Sequence, residues 1–481
     1  MTERLCEATV NRIPAWVQRP EYDRSRLRPG VIHIGIGAFH RAHQAPVFDA
    51  VAAAGDLGWG VQAASLRSSS VRDRLTPQEG YYCLVERDQE EQRVRLVGSL
   101  LDVIVAPERP SALVAALAAP TTHIVTLTVT EKGYLPDARD QPGRPHSAAA
   151  YVAEALAERR ARGLSSLTII SCDNLPDNGD KLRTGVLRLC DEPMREWIER
   201  RTSFPRTMFD RIVPQTEPED INQLASSIGL IDRAMVKTEP YWQWVIEDRF
   251  AGERPDFERT GVQIVANVSP WEAAKLRLLN GAHSAMAYLG GLAGLTMVDG
   301  FVSAPAGRAL VERLWDEVAP TLKPADGLDI PAYRRALMKR FGNRALGHRL
   351  AQIAADGSQK LPQRLLAPLA EQLARGLPVG TIVLAIAAWM RWQEGRTDAG
   401  EHFVVDDPFA ARISGLLERL TTADDKVQAM LSVGEIFPVS IVSDNRFVEL
   451  LVQQFAELGQ FGALPALARL NAEAGSFEKR S

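Results

Sequence analysis

The sequence predicts an α/β fold in which an N-terminal parallel-sheet domain is followed by a mainly α-helical C-terminal domain. Between residues 31 and 268, short apolar runs alternate with helical stretches, a pattern typical of a parallel sheet covered on both faces. The first run ends in closely spaced glycines, and after Pro270 period-two alternation almost disappears. We therefore expect two domains, at residues 1–268 and 269–481.

The alternation places the individual elements of both domains. Strands are predicted at residues 31–36, 60–66, 123–129 and 167–171, and helices at 110–119, 147–162 and 180–200. β-rich segments at 241–250 and 262–268 predict that the sheet continues or gains antiparallel strands. Helical apolar spacing recurs at 271–292, 306–318, 362–373, 379–392, 408–420 and 446–456. With no linker between the domains, we expect a cleft between them, where ligands often bind.

Composition and charge limit the classes of function. Of 481 residues, 46% are hydrophobic and 24% charged, as in globular proteins with a large core. A net charge of −4 lacks the basic footprint of nucleic-acid binders, so we expect a small-molecule partner. The N-terminus lacks a secretory apolar run, and the longest apolar run, Thr381 to Met390, is about half a membrane span. These features predict a soluble cytoplasmic protein with no membrane contact.

Four scattered cysteines, Cys6, Cys83, Cys172 and Cys190, lack the spacing of a zinc site or a disulfide framework. We expect free thiols and no metal site.

The first strand runs into the loop Gly35, Ile36, Gly37, Ala38, Phe39 and His40, which has the first two glycines of GxGxxG and a histidine at the third place. In a Rossmann-type unit these glycines allow a tight turn and let backbone N–H groups approach a pyrophosphate. The alternative is a structural turn. The position directly after the first strand favours dinucleotide binding.

The end of the second strand bears on the choice of dinucleotide. An acidic residue about 20 positions after the loop normally binds the adenosine ribose and favours NAD. This chain has Arg67 and Ser68 there, with Arg72 following and no carboxylate before Asp73. These groups suit a ribose hydroxyl or a 2′-phosphate, or the arginines are simply solvated. NAD is therefore the predicted cofactor, and NADP is an alternative that the local chemistry slightly favours.

A lysine at the centre of an apolar helical stripe is the main catalytic candidate. At about 100° per residue, Leu279, Ala282, Met286 and Leu289 all lie within about 40° of Lys275. Glu272, His283 and Asn280 flank that face, at about 60°, 80° and 140°. Burial lowers the pKa of a lysine, which suits a general base, and an asparagine amide can stabilise an oxyanion. A snorkelling lysine, or an ion pair with Glu272, is the competing interpretation.

Asn174 is the second asparagine candidate. It follows the apolar strand at 167–171, and ligands of open α/β sheets bind outside the carboxyl ends of strands. The competing role is capping of the next helix, for which Asp177 and Asn178 are better placed than Asn174.

Seven segments together resemble the polyol-specific long-chain dehydrogenases, the family of mannitol dehydrogenase and fructuronate reductase (mannonate oxidoreductase). They are GIGAFHRAHQ (35–44), TVTEKGY (128–134), SCDN (171–174), FDRIVPQT (209–216), EPYWQWVIEDRF (239–250), KLRLLNGAHS (275–284) and DGSQKLPQR (356–364). They span most of the chain in the family order, and the Lys-x4-Asn-x2-His arrangement is the most specific of them.

The resemblance implies a Rossmann-type domain, a helical C-terminal domain and metal-independent hydride transfer. Lys275 would be the general base, Asn174 and Asn280 would polarise the reacting oxygen, and His283 would position the substrate. Asp210 would bind a substrate hydroxyl, and Glu272 would assist proton exit. The implied reaction interconverts a polyol and a ketose, as with mannitol and fructose, in a monomer or homodimer.

A sugar-acid substrate such as fructuronate or mannonate is the alternative within the family, since DGSQKLPQR resembles the sugar-acid members. Lys360 or Arg349 would then pair with the carboxylate, unless they are surface cations or make structural hydrogen bonds. Two remote alternatives are a lyase, in which Lys275 forms a Schiff base, and a non-catalytic dinucleotide sensor.

Overall fold

The computed structural model of the protein describes residues 3–89, 91–129, 131–141, 143–165 and 167–468. Thr130 of the segment TVTEKGY lies outside the described residues, as do residues 1–2 and 469–481 of the two predicted domains. The chain divides into two compact units, Met1–Ser269 and Pro270–Ser481.

The strands of the described part all lie in the first unit. They are β1 (Pro29–Ile34), β2 (Gly60–Ser65), β3 (Tyr82–Arg87), β4 (Gln92–Val97), β5 (Leu100–Val105), β6 (Ile124–Leu127), β7 (Leu167–Ser171), β8 (Thr202–Ser203), β9 (Thr207–Asp210), β10 (Val236–Thr238), β11 (Gln243–Glu247) and β12 (Gln263–Val265).

Six strands form the central sheet, in the order β5-β2-β1-β6-β7-β8, and each neighbouring pair is parallel. Alternate side chains of its strands enter two different cores. Val31 and Ile124 belong to one core, while Ile32 and Val125 belong to the other. Because successive side chains of a strand point to opposite faces, the sheet is buried on both sides. The predicted parallel-sheet domain is confirmed.

The strand order sets where a ligand can bind. From β1 the chain builds β2 and β5 on one side of the sheet, and later β6, β7 and β8 on the other. This reversal is the switch point at which open α/β sheets bind ligands, beyond the carboxyl ends of the strands. Gly35 directly follows β1 and therefore lies at the switch point.

The β-rich segments near residues 241–250 and 262–268 do not extend the central sheet. Strands β11 and β12 form a separate sheet with β9, in which β11 pairs antiparallel with β9 and parallel with β12. A third sheet, of order β10-β3-β4, was not predicted. Only the local apolar pattern is readable in the sequence, whereas partner choice depends on contacts between distant segments.

The helices of the first unit are α1 (Ala38–Ala42), α2 (Gln44–Ala53), α3 (Arg72–Leu75), α4 (Pro110–Leu117), α5 (Ala148–Ala161), α6 (Asn178–Arg188), α7 (Glu192–Arg201) and α8 (Pro218–Ile228). The single helix predicted at 180–200 is wrong, because α6 and α7 occupy that segment. The Asp191 side chain caps α7 by accepting a hydrogen bond from the Met194 N–H, and Pro193 lies in the first turn, where a missing N–H costs little.

The C-terminal region is helical, as predicted. Its helices are α9 (Ser269–Ala274), α10 (Gly281–Leu292), α11 (Val298–Ser303), α12 (Pro305–Val318), α13 (Ile330–Phe341), α14 (Leu350–Ala354), α15 (Gly357–Leu361), α16 (Ala367–Ala374), α17 (Gly380–Trp392), α18 (Ala410–Leu417), α19 (Ala423–Leu431), α20 (Val439–Val442) and α21 (Asn445–Phe461). Two π-helical turns, Lys275–Asn280 and Pro362–Leu366, continue α9 into α10 and α15 into α16.

Helix α17 lies at the centre of the second unit, packed against α10 and α21. Its residues from Thr381 to Met390 are all buried, which accounts for the longest apolar run of the sequence. Within the described residues, no helix is both long enough and apolar enough to cross a membrane.

Gly35 offers a test of the turn that ends β1. Its φ is +103°, and a Cβ there would lie 2.1 Å from the Thr128 carbonyl oxygen. We expect Gly35→Ala to lower the free energy of unfolding by more than about 2 kcal/mol, because strain and a backbone clash add together. Urea unfolding measures the change.

Gly55 is the matched control, since its φ is +99° and nothing lies within 4 Å of its added Cβ. Gly55→Ala should show only the conformational strain. Equal losses in the two variants would contradict the predicted clash at Gly35.

Candidate active site

The main catalytic candidates lie on a π-helical turn. The turn spans Lys275–Asn280, and the Gly281 N–H bonds to the Leu276 carbonyl, five residues back. A π turn has more residues per turn than an α-helix, which brings residues five apart nearer to one face. Lys275 and Asn280 therefore share one face of the helix. The separation of about 140° expected from regular α-helical spacing is wrong at this point.

Three polar side chains of this stretch are buried. The exposed fractions are 8% for Lys275, 6% for Asn280 and 7% for His283, while Glu272 is half-buried. Among the described residues, no hydrogen-bond partner exists for Nδ2 of Asn280 or Nε2 of His283. A buried polar atom without a partner costs about 1–3 kcal/mol, so it requires an explanation. A bound polar molecule that reaches both atoms would supply the missing partners.

His283 lies in an aromatic and cationic environment. Its ring centroid is 5.0 Å from that of Phe341 and 4.9 Å from that of His348. Burial holds the pKa of His283 well below its usual value, and the charges of His348, Arg364, Arg340 and Lys360 lower it further. The imidazole is therefore neutral near pH 7, with one nitrogen that donates and one that accepts.

The second π turn, Pro362–Leu366, packs against the first and brings in Arg364. Its Nη1 donates to the Asn280 carbonyl at 3.4 Å and to Oγ of Ser284 at 3.2 Å. Gly281 makes the approach close, because a Cβ there would lie 3.2 Å from the Arg364 carbonyl oxygen. Burial lowers the pKa of Arg364 to about 10. Arg364 belongs to the segment DGSQKLPQR, yet its contacts with residues 80 or more positions away leave no local signal in the sequence.

The two cations suggested as carboxylate ligands lie in different surroundings. The Lys360 ammonium donates to the main-chain carbonyls of Ile353 and Ala355, which favours the structural role that its sequence also allowed. Arg349 is exposed and precedes α14, and its backbone pairs with Met297. Neither observation tests a contact with substrate.

The loop after β1 has the conformation that its glycines allow. Gly35 has positive φ, and the Gly37 N–H bonds to the Gly35 carbonyl at 2.6 Å. A Cβ on Gly37 would meet only the Gly35 oxygen, at 3.8 Å, so the backbone there is open to a ligand. Ile36 is buried, whereas Ala38 and Phe39 are half-buried at the start of α1. An open Gly37 backbone at the switch point fits a dinucleotide pyrophosphate.

His40, which replaces the third glycine, is fully buried and stacks on His33 at 3.4 Å between ring centroids. His33 in turn contacts Oγ1 of Thr126 at 2.8 Å and the Gly35 carbonyl at 3.1 Å. The histidine pair thus supports the glycine turn from inside the sheet.

At the end of β2, the side chains of Arg67 and Ser68 are exposed. The Ser68 hydroxyl lies 3.2 Å from that of Ser70. Arg72 forms surface ion pairs with Asp73 and Glu108. Arg67 and Ser68 remain accessible for a ribose.

Asn174 and Asp210 lie in the first unit, whereas Lys275, Asn280 and His283 lie in the second. Asn174 is exposed in the loop after β7, and Asp210 is buried at the end of β9. The neighbouring Asp173 carboxylate accepts a hydrogen bond from the Val129 N–H at 2.9 Å, which ties the β7 loop to the end of β6. The N-cap position of α6 is Asp177, which makes no side-chain cap bond. Asn178 is the first residue of α6, and its side chain bonds to the backbone of Thr207 and accepts from the Gly179 N–H.

In the described part of the chain, no group of three or more His, Cys, Asp or Glu side chains is arranged so that it could hold a metal ion. The four cysteines are free thiols, as expected.

Family models match both halves of the chain. The mannitol dehydrogenase Rossmann domain matches residues 29–259, and the mannitol dehydrogenase C-terminal domain matches residues 267–459. The chain belongs to the mannitol dehydrogenase family. Members of this family are oxidoreductases that act on CH–OH groups, and this chain is therefore an enzyme of that class.

Individual members of the mannitol dehydrogenase family are similar over nearly the whole chain. D-mannonate oxidoreductase of Escherichia coli (strain K12) is 38% identical, over 94% of this chain and 98% of that protein. Mannitol 2-dehydrogenase of Pyrenophora tritici-repentis is 36% identical, over 94% of this chain and 84% of that protein. The structure of Pseudomonas fluorescens mannitol 2-dehydrogenase with NAD and D-mannitol superposes with a TM-score of 0.87 and 33% identity, covering 98% of this chain and 99% of that one.

His348 makes the second unit sensitive to acid. Burial, and then Arg340, lower the pKa of His348 to about 4, compared with about 6.5 when unfolded. The unfolded state therefore binds more protons between these values. The free energy of unfolding should fall as the pH drops from about 6.5 to about 4, by up to about 3 kcal/mol from this residue.

Urea unfolding at pH 7 and at pH 5 checks this expectation. The variant His348→Asn should show a weaker pH dependence of the free energy of unfolding than the parent protein. Identical pH dependence in the parent and His348→Asn would refute it.

Proposed function

We propose that this protein catalyses the reversible NAD(P)-dependent oxidation of a secondary alcohol on an open-chain polyol to the matching ketose. The observation that carries the proposal is the buried stretch from Lys275 to His283, with the partnerless Nδ2 of Asn280 and Nε2 of His283. A substrate with adjacent hydroxyl groups offers these atoms the hydrogen-bond partners that they lack.

Each candidate residue receives a role in this reaction. Lys275, as the neutral amine, removes the hydroxyl proton, and Glu272, one helical turn earlier, passes that proton on. Asn280 and Asn174 donate amide N–H groups to the developing oxyanion. His283 holds a neighbouring hydroxyl, and the buried Asp210 accepts a hydrogen bond from another.

The dinucleotide would be held by the loop from Gly35 to His40 and by Arg67 and Ser68. When bound, its nicotinamide supplies the hydride acceptor or donor. Support comes from the open backbone at Gly37 and from the NAD in the related mannitol 2-dehydrogenase complex. NAD is the proposed cofactor, and NADP is the alternative because Arg67 stands where a carboxylate would exclude a 2′-phosphate.

A sugar acid is the second candidate substrate. Arg364, Arg340 and Lys360 all lower the pKa of His283, so positive charge surrounds this part of the second unit. A substrate carboxylate would be attracted there, and a relative that is 38% identical is a D-mannonate oxidoreductase.

Steady-state assays with NADH or NADPH test the reaction. We expect oxidation of at least one reduced cofactor in the presence of fructose, xylulose, fructuronate or tagaturonate. Loss of absorbance at the nicotinamide band measures the rate. If none of these carbonyl compounds oxidises either cofactor, the proposed function is wrong.

Replacement of the base is the sharper test of the mechanism. We expect Lys275→Ala to lower kcat by about 100- to 10,000-fold, the usual contribution of a general base, with little change in NADH binding by fluorescence titration. The control Lys323→Ala removes an exposed lysine of the same unit and should retain the parental rate. Parental kcat in Lys275→Ala would remove this lysine from the mechanism.

A further inference from the structure

Arg364 has hydrogen-bonding capacity that the protein itself does not use. A guanidinium has five N–H donors, and here only Nη1 has protein acceptors, the Asn280 carbonyl and the Ser284 hydroxyl. Among the described residues, no carboxylate lies within 4.0 Å of this half-buried side chain, and Nε and Nη2 have no acceptor.

Arg211, a buried arginine with a structural role, makes hydrogen bonds of a different kind from those of Arg364. Arg211, in the first unit, bonds through Nε to the Glu239 carbonyl, through Nη1 to the Ala42 carbonyl and through Nη2 to the Glu86 carboxylate. All three of its nitrogens are satisfied, and its charge is paired. Arg364 has neither property, so packing between the π turns does not account for its unused donors.

Three carboxylates of the surrounding elements already have partners, and two others, Asp356 and Asp406, are exposed. The Glu371 carboxylate pairs with Arg277 of the first π turn. Asp407 accepts hydrogen bonds from the N–H and hydroxyl of Ser358. Glu317 accepts from the N–H groups of Thr381 and Ile382, at the start of α17. The positive charge of Arg364 is thus left for an external anion.

We propose that Arg364 binds the carboxylate of an open-chain sugar-acid substrate and selects it over the neutral ketose. The proposal rests on the proposed function, because the carbon to be oxidised must belong to the same molecule. A planar guanidinium matches a planar carboxylate through two parallel N–H···O bonds, which a lysine ammonium cannot reproduce. Arg364 bonds to Asn280 and Ser284, on either side of His283, so the anion lies beside the groups assigned to the reacting alcohol.

A pair of substrates that differ at one terminal carbon tests the assignment. The specificity constant kcat/KM is measured with NADH for D-fructuronate and for D-fructose. In Arg364→Gln, the kcat/KM for fructuronate should fall by about 10- to 100-fold, mainly through a higher KM, because a hydrogen-bonded charge is removed. The kcat/KM of the same variant for fructose should fall by a smaller factor, because only the hydrogen bonds of Nη1 to Asn280 and Ser284 are then lost. Arg364→Lys keeps the positive charge but lacks the two parallel N–H donors of the guanidinium. Its kcat/KM for fructuronate should therefore fall by less than that of Arg364→Gln.

Arg277→Gln controls for distortion of the π turns. Arg277 anchors the first turn to Glu371 and to the Thr321 carbonyl, so its loss should affect both substrates alike. An equal loss on both substrates in Arg364→Gln would likewise assign Arg364 a structural role and overturn the proposal. Turnover of fructose 6-phosphate in preference to fructuronate would also overturn it, since a phosphate would then be the bound anion.

An inhibition experiment on the unmodified enzyme removes any dependence on the folding of the variants. D-gluconate and D-sorbitol are compared as inhibitors of fructose reduction, and gluconate should inhibit competitively at the lower concentration. Equal or stronger inhibition by sorbitol would contradict a carboxylate site. Turnover of fructose without any preference for acids overturns this inference alone, whereas absence of turnover with every carbonyl compound overturns the proposed function as well.

Discussion

The π turn at Lys275–Asn280 is the constraint on which the placement of the candidate catalytic residues depends. A π turn is rarely stable alone, and here three contacts fix it from outside. Arg277 pairs with Glu371, the Trp315 indole donates to the Leu278 carbonyl at 2.8 Å, and Arg364 donates to the Asn280 carbonyl. Packing between distant helices therefore maintains the extra residue that aligns Asn280 with Lys275.

The electrostatics around this turn suit a reaction that develops negative charge on oxygen. His283 is neutral because it is buried among cations, so it contributes hydrogen bonds without adding a charge. Positive groups at moderate distance stabilise an alkoxide more than they stabilise the neutral alcohol, which is the differential binding that catalysis requires. Fixed donors also need no reorganisation during the reaction. In the proposed reaction, the partnerless nitrogens of Asn280 and His283 would be preorganised donor or acceptor groups for the substrate.

The sequence was sufficient where local patterns decide the structure and insufficient where distant contacts do. Strand β7 was predicted to the residue, and Lys275 stood out because a cation at the centre of an apolar stripe is unusual. The π turn was missed because a regular helical wheel cannot represent an inserted residue. Arg364 was missed although it lies in a quoted segment, since only the packing of the two π turns shows which of its donors are unused. The site roles themselves remain predictions.

In the loop after β1, the first helix packs against the strand without the third glycine of the usual GxGxxG fingerprint. The third glycine of GxGxxG normally allows close packing of helix on strand. In this chain α1 has only five residues, and α2 begins one residue later, after the non-helical His43. The strand contributes His33 where the helix contributes His40, and the two flat rings stack at 3.4 Å, about the closest approach of two planar groups. The stacked imidazoles thus take the place of the close contact at the third glycine. His33 also donates a hydrogen bond to the Gly35 carbonyl, which connects the stacked pair to the turn that would bind the pyrophosphate.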